Sequence, residues 1–196
     1  IRLSLVGSEM CIRDRLCTWG PDRDAAIEGM RNALDAFEVE GIGHNLPFLS
    51  AVMDHPKFAC GDMTTAFIAE EYPEGFQGVE LPAADLRRIA AATAAMNRVA
   101  EIRRARVSGT LDNHERRVGD RWNVALQGES FDLSIAAEKG AATVRFDDGT
   151  EMRVAGDWTP GDQLASMEVN GHPLVLKVGK VSGGFRIRSR GADLKV

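Results

Sequence analysis

From residue 122 to residue 196 apolar and polar positions alternate with a period of two, the mark of half-buried strands. Trp122, Val124 and Leu126 form the first run, and Phe131, Leu133 and Ile135 the second. Val144 and Phe146, then Met152 and Val154, then Ala165, Met167 and Val169 follow. Leu174, Leu176 and Val178 form the sixth run, Phe185 and Ile187 the seventh, and Leu194 and Val196 open an eighth, expected as a truncated strand. Turn signals separate the runs: Gln127-Gly128, Lys139-Gly140, Asp148-Gly149, Asn170-Gly171 and Gly183-Gly184. The Asp-Gly and Asn-Gly pairs suit type I′ hairpins, which need positive φ at both central residues. Residues 157–162 (DWTPGD) make a wider loop.

Ahead of the strands, residues 82–107 carry one long helical pattern, roughly 37 Å at 1.5 Å per residue. Its middle, residues 89–96 (IAAATAAM), has no charge on any face, so every face needs cover. Residues 98–106 are strongly cationic, which suits the negative end of the helix dipole. A meander of eight strands also needs its edges removed. Wrapping the strands around the thin helix meets both needs, and predicts an antiparallel up-and-down eight-stranded β-barrel around a long central helix. Residues 108–120 are polar and aperiodic, a connection longer than the fold needs, and such connections often carry function.

The earlier part reads as an α+β fragment. Residues 16–19 and 39–42 are short strand candidates. Asp22 caps a helix running to about Phe37, Asn45 and Pro47 open another over 46–53, and residues 64–71 form a third, ended by Pro73. Residues 72–82, with Pro73, Pro82, Gly75 and Gly78, contain a linker, placed at 77–81. The predicted organisation is a leader at 1–15, a first unit at 16–76, the linker, and a second unit at 82–196. That second unit divides into a helix (82–107), a polar connection (108–120) and strands (121–196).

The chain is 44% hydrophobic and 27% charged with a net charge of -5, so it can bury a core and lacks the basic field of a nucleic-acid binder. No apolar run approaches the roughly 18 residues of a membrane helix. Cys11, Cys17 and Cys60 form no metal or CxxC spacing, and His44, His55, His114 and His172 are scattered. The carboxylate pairs Glu70-Glu71 and Asp147-Asp148 sit in helix-end and turn contexts, where solvation is the expected role. Arg186, Arg188 and Arg190 alternate along one strand, either as a solvated exterior or as a surface for an acidic partner. Catalytic, cofactor-binding and metal-ligating residues are each expected to number none.

Five stretches carry a family resemblance. EVEGIGHNLPFLSAVMDHPKF (38–58) and GDMTTAFIAEEYPEGF (61–76) resemble the closing part of the biotin carboxylase domain in biotin-dependent acyl-CoA carboxylases. DNHERRVG (112–119), DWTPGDQLA (157–165) and PLVLKVGKVSGGFRIRSRGADLKV (173–196) resemble the next module, the BT bridging domain of the propionyl-CoA-type alpha subunits. The resemblance is colinear over 16–196. It implies a remnant of the carboxylase domain at 16–76 and a bridging barrel around one helix at 82–196. It also implies a hook at 109–117 that joins a carboxyltransferase beta subunit through Asp112, Asn113, His114, Glu115, Arg116 and Arg117. The parent subunit would use ATP, Mg and covalent biotin, and its carboxylase and carrier domains would be further partners. Bacterial members work in the cytoplasm and eukaryotic ones in the mitochondrial matrix. The family's phosphate-binding loop and Ala-Met-Lys-Met motif do not occur in these residues, and residues 1–15 do not resemble it. The chain is therefore expected to act as a non-catalytic assembly piece. Two other readings are a small-ligand-binding β-barrel and a small enzyme using Cys17, His44 or His114. Phe48, Leu49 and Phe67 are expected to be exposed, because the sheet that would cover them is not part of the fragment.

Overall fold

A computed structural model describes residues 16–37, 39, 44–106, 117–138 and 140–196. Five helices come first: α1 (Arg23–Ala36), α2 (Leu46–Asp54), α3 (Pro56–Cys60), α4 (Phe67–Glu71) and α5 (Ala83–Ala105). Eight strands follow: β1 (Arg121–Leu126), β2 (Glu129–Glu138), β3 (Ala141–Phe146), β4 (Glu151–Gly156), β5 (Leu164–Val169), β6 (His172–Val181), β7 (Gly184–Ser189) and β8 (Ala192–Lys195). Each strand pairs antiparallel with the next, in a single sheet of order β1 to β8 that curls into a nearly closed barrel. β8 is short, and beyond it Val196 still exchanges main-chain hydrogen bonds with Phe185 at 2.8 and 2.9 Å.

The alternation sets which face is inside. Every apolar residue of the eight runs lies in the barrel core or packs against it. Ile89, Ala90, Ala91, Ala92, Ala94, Ala95 and Met96 of α5 belong to the same cluster, and Thr93 between them is also buried. Eight consecutive buried residues cover all sides of a helix, since successive side chains point 100° apart. α5 lies against β1, β2, β3, β4 and β5. Its ends are tied to loops around the barrel. Arg87 donates to Asp148 Oδ2 in the β3–β4 turn (2.5 Å) and lies over the rings of Phe131 and Phe146. Arg88 donates to the Pro173 carbonyl, Arg98 to Asp120 Oδ1, and Arg103 to the Pro160 carbonyl.

Turn chemistry follows expectation at Asn170-Gly171, where φ is 52° and 81°. At Asp148-Gly149 only the glycine has positive φ. There the loop has three residues, because Phe146 bonds Thr150 across it and the Asp148 carboxylate accepts the Thr150 N–H at 2.9 Å. The β6–β7 turn falls on Ser182-Gly183, one residue earlier than the Gly183-Gly184 pair, and Gly184 already belongs to β7.

The first part departs further from its reading. Residues 16–19 form no strand: Trp19 is 86% exposed, and Thr18 instead donates its hydroxyl to the Ala26 carbonyl of α1 at 3.0 Å. Val39 is not in a strand, and residues 40–42 lie outside the described residues. α1 is capped as expected by Asp22, whose Oδ1 accepts the Ala25 N–H at 2.8 Å. Asn45 precedes α2 without a side-chain cap bond, and Pro47 supplies the early helical position. Residues 56–60 form an unforeseen turn of helix, and the third predicted helix starts only at Phe67. Phe67 is buried rather than exposed, and Phe48 and Leu49 are half-buried. An aromatic cluster substitutes for the expected sheet: Phe48 meets Tyr72 and Phe76 edge-on at 5.2 and 5.6 Å, and Phe67 meets His55 at 5.0 Å.

Two outcomes test this packing. Ala91 is fully buried in a close-packed interior, so Ala91→Leu should cost about 1–3 kcal/mol in denaturant unfolding; an unchanged midpoint would mean the helix has free space beside it. The second concerns pH. The Thr150 N–H, the Thr150 hydroxyl and then Arg87 hold the Asp148 carboxyl down from its ordinary 3.8 to about 2. A folded pKa below the unfolded one gives stability that is present above the unfolded value and lost as pH falls through the folded one. The Arg87–Asp148 tie should therefore weaken as pH drops from 3.8 toward 2. An NMR titration placing the Asp148 carboxyl near its ordinary value would contradict that.

Candidate subunit interface

In an up-and-down barrel, successive turns alternate between two ends. The turns at 127–128, 147–149, 170–171 and 190–191 share one end with the N-terminus of α5. Gln127 there donates to the Val79 carbonyl, and Arg87 and Arg88 reach the neighbouring loops. The entry to β1, the β2–β3 turn, the β4–β5 loop and the β6–β7 turn share the other end with the C-terminus of α5. The C-terminus of α5 and residues 117–120, the described residues on either side of 107–116, therefore both lie at this second end.

This end is cationic and grooved. Arg103, Arg104 and Arg106 are exposed in the last turns of α5, where cations complement the helix dipole. Arg104 pairs with Glu101, a buried carboxylate one turn earlier. A cleft of about 1040 Å³ opens beside them, lined among others by Trp122, Trp158, Phe185, Glu101, Arg104 and Arg188. A smaller apolar recess of about 260 Å³ includes Met96, Val99, Ile102, Ile135, Ala142 and Met167.

The β4–β5 loop is folded on itself to make this end. Trp158 is buried, stands edge-on to Phe185 at 5.8 Å, and donates its indole N–H to the Asp162 carbonyl at 3.0 Å. The Asp162 carboxylate accepts both the N–H and the hydroxyl of Thr159, each at 2.9 Å, and these bonds lower its pKa. Trp158 thus belongs to the core although it sits in a loop. Period-two reading cannot find such a residue, and its aromatic bulk between Pro160 and Asp157 is the only local hint.

Of the predicted site residues, Asp112, Asn113, His114, Glu115 and Arg116 lie outside the described residues, and Arg117 is exposed. Arg186, Arg188 and Arg190 do not form one free stripe. Arg186 forms an ion pair with Asp193 on β8 that raises its pKa. Arg188 lines the cleft. Arg190 is not on the strand but in the β7–β8 turn, where Glu28 and Asp35 of α1 hold it. Cys17 and Cys60 are exposed free thiols, His44 is exposed, and His55 is paired with Glu71 at 3.2 Å. Among the described residues no hydrogen bond links a cysteine to a base, and no three His, Cys, Asp or Glu side chains converge as metal ligands. Among the described residues no cluster of carboxylates fits a site for ATP-bound Mg. The ligand-binding barrel is not favoured, because Ile89, Met96 and the alanines between them occupy the interior.

The family model for the propionyl-coenzyme A carboxylase BT domain matches residues 89–196, more than half of the chain. The chain belongs to this family. The model for the biotin carboxylase C-terminal domain matches residues 11–70. The chain is 75% identical over 182 residues to a propionyl-CoA carboxylase alpha chain of Ruegeria pomeroyi, covering 93% of this chain and 27% of that protein. It is 30% identical over 202 residues to the mitochondrial alpha chain of Caenorhabditis briggsae, again covering 93% and 27%. With the Homo sapiens mitochondrial alpha chain it shares 25% over 158 residues, covering 78% of this chain and 21% of that one. The chain thus spans about a quarter of the length of the relatives it matches. Among the described residues no helix is long and apolar enough to cross a membrane.

The barrel end gives its own prediction. Trp158→Ala removes a buried aromatic and should cost about 3–5 kcal/mol, whereas Trp158→Phe keeps the edge contact and should cost less. Equal losses in thermal unfolding would show that the ring contact with Phe185 contributes nothing.

Proposed function

We propose that residues 82–196 act as the assembly module of a propionyl-CoA carboxylase alpha chain, and that residues 16–76 are the end of its biotin carboxylase domain. The observation that carries this reading is the BT-domain match over 89–196, which falls on the barrel and the greater part of α5. The connection between α5 and β1 leaves from the cationic, grooved end of the barrel. In this reading Asp112, Asn113, His114, Glu115, Arg116 and Arg117 hook onto a carboxyltransferase beta subunit. Charge supports it: Arg103, Arg104, Arg106 and Arg117 are exposed at this end of the barrel, a basic surface fit for carboxylates of a partner. The module does no chemistry itself. It brings together the ATP- and biotin-dependent carboxylation of the alpha chain and the acyl transfer of the beta subunit, for conversion of propionyl-CoA to methylmalonyl-CoA. The work belongs in the cytoplasm of a bacterium, or in the mitochondrial matrix of a eukaryote.

Co-purification of the chain with a propionyl-CoA carboxylase beta subunit tests this. The wild-type chain should bind, and the double variant Arg116→Glu, Arg117→Glu should lose binding by at least tenfold, since two like-charge contacts replace two attractive ones. No binding by a wild-type chain whose circular dichroism shows an intact barrel would overturn the assembly role. Equal binding by both chains would move the contact away from the hook.

A further inference from the structure

The β7–β8 hairpin breaks a local rule. Its turn is Arg190-Gly191, with φ of 50° and 79°. The equivalent positions in the β5–β6 hairpin are Asn170 and Gly171, which adopt this geometry readily. Arginine, like Gln127 in the β1–β2 turn, adopts it against the clash of its own Cβ, and here contacts from outside the hairpin hold it.

What holds it is α1. The Arg190 N–H donates to Asp35 Oδ1 at 2.7 Å, and the guanidinium lies 3.2 Å from Asp35 Oδ2 and 3.2 Å from Glu28 Oε1. Asp35 is 5% exposed, in the last turn of α1. Beside it Lys177 of β6 donates to the Leu34 carbonyl at 2.8 Å, satisfying a main-chain acceptor at the helix end. Shape adds a third constraint. A Cβ on Gly191 would come within 2.6 Å of the Pro47 carbonyl oxygen, 3.1 Å of Ser50 and 3.2 Å of Val79. The turn is therefore seated between α1, α2 and the segment leading into α5, with no room for a side chain at its second position.

We propose that the Arg190-Gly191 turn is a docking latch that holds the helical segment on the barrel in one orientation, with Asp35 as its positioning residue. The segment between α4 and α5 contains no strand and only a single turn, so it cannot fix that orientation alone. The latch makes the part matched by the biotin carboxylase model and the part matched by the BT model move as one body. Asp35 serves the latch twice, accepting the Arg190 N–H and facing the guanidinium, which Glu28 also pairs. The assembly reading is not required for this, and a failed co-purification leaves the latch intact.

Hydrogen–deuterium exchange on the whole chain tests it, comparing amides of α1 with those of β2–β4. Asp35→Ala strands the Arg190 N–H and should speed α1 exchange roughly tenfold or more, with β2–β4 unchanged. Asp35→Asn keeps the acceptor for the N–H but loses the charge facing the guanidinium, and should fall between the wild type and Asp35→Ala. Arg190→Gly suits the turn's φ but removes the guanidinium, so α1 should loosen while the β7–β8 hairpin keeps or gains protection. Arg186→Ala, on the same hairpin but paired only with Asp193, should leave α1 unchanged. If Arg190→Gly loosens the hairpin and α1 together, or leaves α1 protected, Arg190 is only a turn residue and the latch is wrong. If Asp35→Ala weakens α1 and β2–β4 equally, Asp35 supports global stability and not docking.

Discussion

A helix with no polar face cannot stand at a surface, and residues 89–96 of α5 have none. Each turn of that stretch exposes only alanine, isoleucine, methionine and one threonine, so water must be excluded on every side. Eight short strands with alternating patterning cannot close a core by themselves either, because a barrel of this size needs its interior filled. Each element solves the other's problem. Small side chains keep the helix thin enough to sit within the sheet, and the inward-facing apolar positions of all eight strands meet it in one cluster. Arg87, Arg88, Arg98 and Arg103 then fix the helix along its axis by bonding turns, loops and the start of β6 at the two ends of the barrel.

That arrangement gives the barrel two different ends. Turns of an up-and-down sheet alternate between two ends. One end receives the helical segment and the other carries residues 117–120, the exposed arginines of α5 and the cleft beside Trp158. The cationic end and the docked helical segment are thus separated by the length of the barrel. Polarity follows from the same axis, since the C-terminal end of α5 carries the negative end of its dipole and the arginines that compensate it.

The helical segment obeys weaker rules, and sequence reading was correspondingly weaker there. α1 was legible because Asp22 caps it and its apolar positions recur at helical spacing. Residues 16–19 alternate like a strand, but a strand needs a neighbour to bond, and none is present among the described residues. Phe67 is buried although no sheet covers it among the described residues, because edge-on contacts among Phe48, His55, Phe67, Tyr72 and Phe76 give the segment a small core of its own. The arginine alternation of 186, 188 and 190 was visible as charge, but its destinies differ residue by residue with what lies across from each side chain.

The sequence by itself determined the strands, their inward faces, the long helix and the need for each to cover the other, because those depend on periodicities of 2 and 3.6 that a single chain carries locally. It also carried the family, through five colinear stretches. The tertiary structure decided where Trp158 packs, which turn must hold Arg190 at positive φ, and which carboxylate receives it. These depend on partners distant in the chain, 155 residues apart for Asp35 and Arg190, and no local pattern encodes a contact whose two halves are each ordinary in their own surroundings.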